Sequence, residues 1–562
     1  MSNGTVTSSN RRVFVIALDG ATYDLLGPWM AEGHLPNLRK LYEAGVHAPL
    51  ESSYPPITGP AWASFITGKS PANNGVMEFF RRDPESYSLV LNSRNDIDGE
   101  SIWGVLSRAG KQVGVIGVPL TWPPEAVNGF LVTGLLTPRR DDVVFTHPPE
   151  LGDELHRALN GYLLQHTEKY VQDDPMRLAH EERAILENKI DAVCYLLDHK
   201  PWDFFMFHLL GGDVLQHGFW QYMDPDHPEY TAENNRKYGH VIPDYYKRLD
   251  ERLPEVLGRL PENTYIAVMS DHGFGPLKKY INFNTWLLNK GFLKIRRNFW
   301  SQLRYFAFRL GYHYRLAWEI GSRTGLVRLI IKMGRGAQEQ AQRKMFLSLD
   351  DVDWSRSTVY SIGNFGQMYV NLKGREPQGS VEPGEMFERT LQRLEAELRT
   401  LRDPETGEEV VDKIWRGSEI WQGRYAHLAP DLFYFTKGYK YKAMGLSDFG
   451  SNQVFESLYG THAHHHLHGI FMLSGPEIKV NQEIQVPNIV DLAPTIYHLQ
   501  HVPIPSDLDG KVLTEAFTGD LAARAPVFRE PDTSESHPPK EGFNTEDEKN
   551  LMKLLKDLGY VN

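Results

Sequence analysis

RRVFVIALDGATYD, residues 11–24, decides the fold class. Its apolar run Val13–Leu18 has no polar interruption and stops at Asp19-Gly20. A short unbroken apolar run closed by a turn reads as a parallel strand, buried on both faces. The same pattern returns at Val113–Val118, in DFFMFHLLGGD (Asp203–Asp213), in TYIAVMSDHGFG (Thr264–Gly275) and in GIFMLSGPEI (Gly469–Ile478). Between these runs, Pro36–Ala44 reads as a helix that starts at a proline and stops at Gly45, and Trp103–Arg108 reads as another. Short apolar strands alternating with helices predict an α/β fold, a central and mostly parallel sheet flanked by helices. Ligands of such sheets gather at the carboxyl ends of the strands. Asp19, Asp213, Asp271 and His272 all fall at such ends, which predicts one shared site.

Working outward, the pattern changes between Pro276 and about Trp421. Residues 294–344 are rich in arginine, lysine and aromatic residues and poor in acids. We expect a helical insertion or lid over about 291–420, which interrupts a catalytic core of residues 10–290 and 421–525. The remainder, 526–562, reads as a polar, proline-containing linker (Thr533–Phe543) and a helix, TEDEKNLMKLLKDLGY, with acids in its first turn and Gly559 at its stop.

Composition narrows the function classes. The chain has 562 residues, 41% hydrophobic and 12% aromatic, enough for a large packed core. Its net charge of −12 gives no reason to expect a nucleic-acid polymer as partner. Cys194 is the single cysteine, so neither an intrachain disulfide nor a thiolate zinc site can form. No stretch approaches the ~20 apolar residues that span a bilayer, and the first apolar run is too short for a signal-peptide core. The expectation is a cytoplasmic protein.

The residues that carry chemistry are scattered. Asp213-Val-Leu-Gln-His217 puts a carboxylate and an imidazole on one helical face, a spacing that also arises often by chance. Asp271-His272 closes a strand, and GTHAHHHLHG (Gly460–Gly469) clusters histidines that packing rarely requires. YPPITGPAWASFITG, Tyr54–Gly68, sets Thr58 at the start of a helix-like run, where a threonine is more often a cap than a nucleophile. Together they say more. Buried carboxylates repel and resist ionisation unless cations compensate. Carboxylates and imidazoles without thiolate favour Zn²⁺, with Mn²⁺ or Fe compatible. Two such ions can clamp a displacement at phosphorus and ionise a bound hydroxyl, which gives Thr58 a chemical role.

In this order and spacing the segments LDG (18–20), PPITGPAWASFITGKSPANNGV (55–76), GGDVLQHG (211–218), SDHGFG (270–275), HHLHGIFMLSGP (465–476) and VDLAPTIYHLQHVPIPSDLDGKVL (490–513) resemble the alkaline phosphatase superfamily, type I phosphodiesterase/nucleotide pyrophosphatase family. The resemblance implies one ion on Asp213, His217 and a late histidine, and a second on Asp19, Asp271 and His272 with the Thr58 oxygen. His465 is preferred as the late histidine and His462 is the second choice. It further implies a covalent phosphothreonine intermediate. One departure stands out: nucleotide pyrophosphatases hold a phosphate oxygen with an asparagine about 21 residues after the threonine, and here that position is Phe79.

The implied activity is a two-metal phosphoester hydrolase, most simply a phosphodiesterase acting on a small phosphoester. Two alternatives are a transferase that moves a phosphoryl-alcohol group from a lipid or sugar donor, and a metal-binding protein without turnover. The sulfatase reading fails, because Thr58-Gly-Pro-Ala-Trp offers neither the formylglycine precursor nor the arginine. The basic segment, with Arg296, Arg297, Arg304 and Arg309, suits an anionic substrate, a peripheral membrane or lipid contact, or simply a solvated helix face. Trp62, Trp122 and Trp220 are expected to pack the core or line a pocket.

Overall fold

A computed structural model describes residues 11–165, 174–317, 344–445, 449–532, 542–558 and 560. Part of the basic stretch (318–343), most of the linker (533–541) and Gly559 lie outside the described residues.

The opening stretch forms the strand β1 (Arg12–Leu18), in which Val13–Leu18 are all at most 2% exposed. Around it lie β2 (Val46–Glu51), β3 (Val113–Ile116), β4 (Gly129–Val132), β5 (Thr146–His147), β6 (Phe204–Leu209), β7 (Thr264–Met269), β8 (His468–Ser474) and β9 (Gln482–Glu483). They form one nine-stranded sheet in the order β9-β2-β8-β7-β1-β6-β3-β4-β5. The centre, β7-β1-β6-β3-β4, is parallel. The stretch that begins at Gly469 supplies β8, which runs antiparallel to both β7 and β2. Helices cover the sheet, so its central strands are apolar on both faces, as the unbroken runs require. This is the α/β fold that the alternating apolar strands and helices predict.

Strand register explains why distant residues meet. Ala17 of β1 pairs with Met269 of β7, and Leu18 pairs with Leu209 of β6. Two residues beyond the first pair the chain reaches Asp19 and Asp271 side by side. Beyond Leu209 the helix Gly211–Met223 begins, with Asp213 in its first turn. A turn at Gly20 makes the approach possible: its φ is +65°, and an added Cβ would lie 3.3 Å from Asp213 Cα.

The 291–420 stretch holds the helices Phe299–Arg309 and Glu385–Arg399, and also strands. Val359–Ser361, Met368–Val370 and Val411–Arg416 join Leu432–Thr436 in a four-stranded antiparallel sheet. Phe292, Val359, Met368, Leu394 and Leu432 make a second core beneath it. Of the basic residues, Arg304 pairs with Asp351, Arg309 donates to Asn289 Oδ1 at 3.2 Å, and Arg296 donates to the Val352 carbonyl at 3.1 Å. Phe299, Trp300 and Phe306 on the same helix face solvent. Among the described residues no helix is long and apolar enough to cross a membrane.

Candidate active site

Thr58 opens the helix Thr58–Thr67, which is buried along its whole length. The residue before the helix is Ile57, and no side chain caps the free N–H groups there. Thr58 therefore does not serve as the cap. Its hydroxyl points to His272 Nε2 at 3.1 Å.

The three carboxylates follow one pattern, each committing one oxygen and leaving the other bare. Asp19 Oδ2 accepts from the Trp62 indole N–H at 3.1 Å and meets His208 Nε2 at 2.8 Å. Asp271 Oδ1 accepts from the Gly20 backbone N–H at 3.3 Å. Asp213 Oδ2 accepts from the Tyr560 hydroxyl. Asp19 Oδ1, Asp213 Oδ1 and Asp271 Oδ2 are buried without a hydrogen-bond partner.

Three histidines mirror this. Nδ1 of His217, His272 and His465 donates to the carbonyls of Ala463 (2.9 Å), Gly273 (3.1 Å) and Pro56 (3.1 Å). That bond sets the tautomer and leaves Nε2 as a bare lone pair. The bare atoms converge. His272 Nε2 lies 3.2 Å from Asp271 Oδ2 and 3.6 Å from Asp19 Oδ1. His465 Nε2 lies 3.1 Å from Asp213 Oδ1 and 3.0 Å from His217 Nε2. Lone pairs facing lone pairs at these distances repel, and a cation between them reverses the sign. Three groups have ligand atoms within 4.8 Å of one another: Asp19, Asp271 and His272; Asp213, His272 and His465; and His217, His464 and His465. Three carboxylate oxygens and three imidazole nitrogens, each oriented by a second hydrogen bond, fit divalent cations of the zinc type.

The electrostatics agree. Burial, then the charges of Asp271 and Asp213, hold the Asp19 carboxyl well above its ordinary 3.8. Burial and then Asp213 do the same to Asp271. Burial pushes His272 and His465 well below 6.5 and His217 down to about 3. Without cations the site favours protonated Asp19 and Asp271 beside neutral imidazoles.

Of the sequence-predicted residues, Asp19, Thr58, Asp213, His217, Asp271, His272 and His465 all meet here. His462 does not. It is buried beside His227, with Nδ1 3.2 Å from Glu229 Oε2. Trp62 sits in the site as a donor to Asp19, whereas Trp122 stacks on Phe543 and Trp220 on Phe274. Sequence reasoning missed four participants. His208 was visible as a polar residue inside an apolar strand. His464 was one of an undifferentiated cluster, and its ring stacks on Phe365 at 4.3 Å. Lys442 is fully buried, and its amine, lowered by burial to about 7, feels both Asp213 and Glu78. Tyr560, 3% exposed, had no spacing signal at all.

Residues 13–435 match the family described as type I phosphodiesterase / nucleotide pyrophosphatase. The chain belongs to that family. Membership supports a phosphoric ester hydrolase of the phosphodiesterase or pyrophosphatase type. Among solved structures, the chain is similar to phosphonoacetate hydrolase from Sinorhizobium meliloti 1021 in complex with phosphonoformate, with TM-score 0.50 and 15% identity over 88% of this chain and 96% of that one. It is also similar to human ectonucleotide pyrophosphatase / phosphodiesterase 5, with TM-score 0.47 and 13% identity over 90% of this chain and 100% of that one. No curated protein matches the sequence.

Proposed function

We propose that the chain is a two-cation phosphodiesterase in which Thr58 attacks phosphorus. The observation that supports this most is the set of bare ligand atoms on Asp19, Asp213, His217, Asp271, His272 and His465 around one buried hydroxyl. Asp19, Asp271 and His272 would hold one cation beside the Thr58 oxygen, and Asp213, His217 and His465 the other, both most simply Zn²⁺. When bound, such a pair lowers the pKa of the threonine hydroxyl and neutralises the charge that builds on the phosphoryl group.

The chain's own residues supply the rest. The helix that begins at Thr58 offers backbone N–H groups and a positive dipole end to an anionic substrate. Thr58 Oγ1 gives up its proton to solvent and forms a bond to phosphorus as the bond to the ester oxygen breaks; that oxygen takes a proton from water and leaves as the alcohol. Water then cleaves the phosphothreonine and restores the hydroxyl. In the metal-free chain His272 Nε2 accepts the Thr58 hydrogen bond; a cation on that lone pair would replace it and leave the Thr58 oxygen beside the ion.

Cleavage of bis-p-nitrophenyl phosphate, measured with and without chelator, tests this reading. We expect metal-dependent turnover, and Thr58→Ala should remove it. Chelator-resistant turnover would instead favour the Thr58–His272 pair as a metal-free nucleophile and base. Unchanged turnover in Thr58→Ala would rule out the nucleophile assignment.

A further inference from the structure

Tyr560 lies beyond the helix Thr545–Asp557, whose Leu551, Leu554 and Leu555 are buried in the main core. The fold drives this residue into the site. Its hydroxyl donates to Asp213 Oδ2, and the Thr58 hydroxyl lies close enough to influence the phenol. Its ring stands 5.1 Å from Phe79, and 5.7 Å from both His217 and His465. Asn364 Nδ2 clamps its backbone carbonyl.

Phe79 makes the placement informative. Its ring is fully buried against the start of the nucleophile helix, where an added Cβ on Gly59 would meet it at 3.1 Å. A phenyl ring at that wall cannot donate a hydrogen bond. Tyr560 packs on this ring and carries an O–H into the space next to Thr58. A phosphoryl group attached to Thr58 Oγ1 must place its own oxygens in that space.

We infer that Tyr560 is a catalytic residue whose hydroxyl donates a hydrogen bond to a non-bridging phosphoryl oxygen. This rests on the reading that Thr58 attacks phosphorus. The phenol is held in place before substrate arrives, by ring packing on one side and by Asn364 on the other. A preorganised donor of this kind acts where charge develops and needs no rearrangement during the reaction. A substrate oxygen competes with Asp213 Oδ2 for the same proton, and turning the O–H from one to the other leaves the ring where it is.

Tyr560→Phe in the metal-loaded full chain tests the assignment, because it keeps the ring on Phe79 and removes only the hydroxyl. Three quantities are read: kcat and KM for bis-p-nitrophenyl phosphate, inorganic phosphate binding by calorimetry, and metal content. We expect kcat to fall about 10²–10³-fold, the cost of one oxyanion donor. Inorganic phosphate should bind about tenfold more weakly, as for one lost hydrogen bond, with metal content unchanged. Wild-type kcat and phosphate binding in the variant would overturn the proposal. Loss of metal would reassign the phenol to orienting Asp213, and tighter phosphate binding would make it a stopper. Calorimetry needs no turnover, so an inactive wild type would sink the hydrolase reading and leave the phosphate comparison readable. A matching thermal melt verifies that the variant is folded.

Discussion

The site has two unlike halves. Asp19, Asp271 and His272 form a carboxyl-rich half at the ends of neighbouring parallel strands. Asp213 with His217, His464 and His465 forms an imidazole-rich half, built from a helix and the antiparallel pair Gly273–Pro276 and Ala463–His466. Their supports differ too. In the first half Asp19 is held by the indole N–H of the Trp62 side chain. In the second, the imidazoles are held by the backbone carbonyls of Ala463 and Pro56. The lesson concerns where mutation bites: Asp19 and Asp213 can be loosened through the side chains of Trp62 and Tyr560, while the imidazoles hang on backbone carbonyls and yield only to changes in the ligands themselves.

The imidazole half gives the largest expected effect. His465→Ala removes an atom shared between two ligand groups. It should lower kcat/KM for bis-p-nitrophenyl phosphate by at least the 10²–10³-fold that one preorganised electrostatic group supplies. His462→Ala, outside the cluster, should leave the rate within a few-fold. Equal losses in the two variants would erase the boundary drawn between them. The carboxyl half comes next. Trp62→Phe leaves Asp19 in place and removes the indole N–H that orients it, so metal affinity should fall by about 10–100-fold. A chelator competition reads this directly. An unchanged affinity would mean that Asp19 keeps its orientation without the indole donor.

The same contrast explains what was legible in the sequence. The carboxyl half follows from local pattern: an apolar run, a polar stop, and the rule that adjacent parallel strands end together. β1 and β7 obey it, so Asp19 and Asp271 could be placed without coordinates. The imidazole half was only half legible. His217 follows from helical spacing, but choosing His465 from five candidate histidines needs strand alternation. Phe274 pairs with His465, and His466 turns away to stack on Tyr439, while His464 stays within 4.8 Å of His217 and His465. Tyr560 could not be read at all, because its approach depends on how a separate helix docks on the core. The insertion was read as helical from its basic and aromatic composition, and the helix Phe299–Arg309 lies within it. Its short strands, such as Met368–Val370, are set by pairing with distant partners, which no local pattern reports.

The smallest effect is a pH signature, and the two halves should contribute to it with opposite sign. In the metal-free chain, folding raises the pKa of Asp19 and Asp271 above 3.8. A raised folded value means that the folded state holds extra protons. Its stabilising contribution is complete below about 3.8 and is lost as pH climbs through the raised values. His217, His272 and His465 are lowered from 6.5, His217 to about 3. Their contribution is present above 6.5 and is lost as pH falls from there toward about 3. The metal-free chain is thus strained by the carboxyls at higher pH and by the imidazoles at lower pH. Cations require ionised carboxylates and neutral imidazoles, so they relieve the carboxyl strain, and the relief grows with pH. The melting-temperature gap between metal-loaded and chelated protein should therefore widen as pH rises through the raised carboxyl values. The limit is about 1.4 kcal/mol per pH unit for each proton released. Asp271→Asn takes one of those protons away and should flatten the slope, whereas His462→Ala should not. A gap that narrows with pH would mean that the carboxyl half is already ionised without metal, and the two halves would then differ in geometry alone.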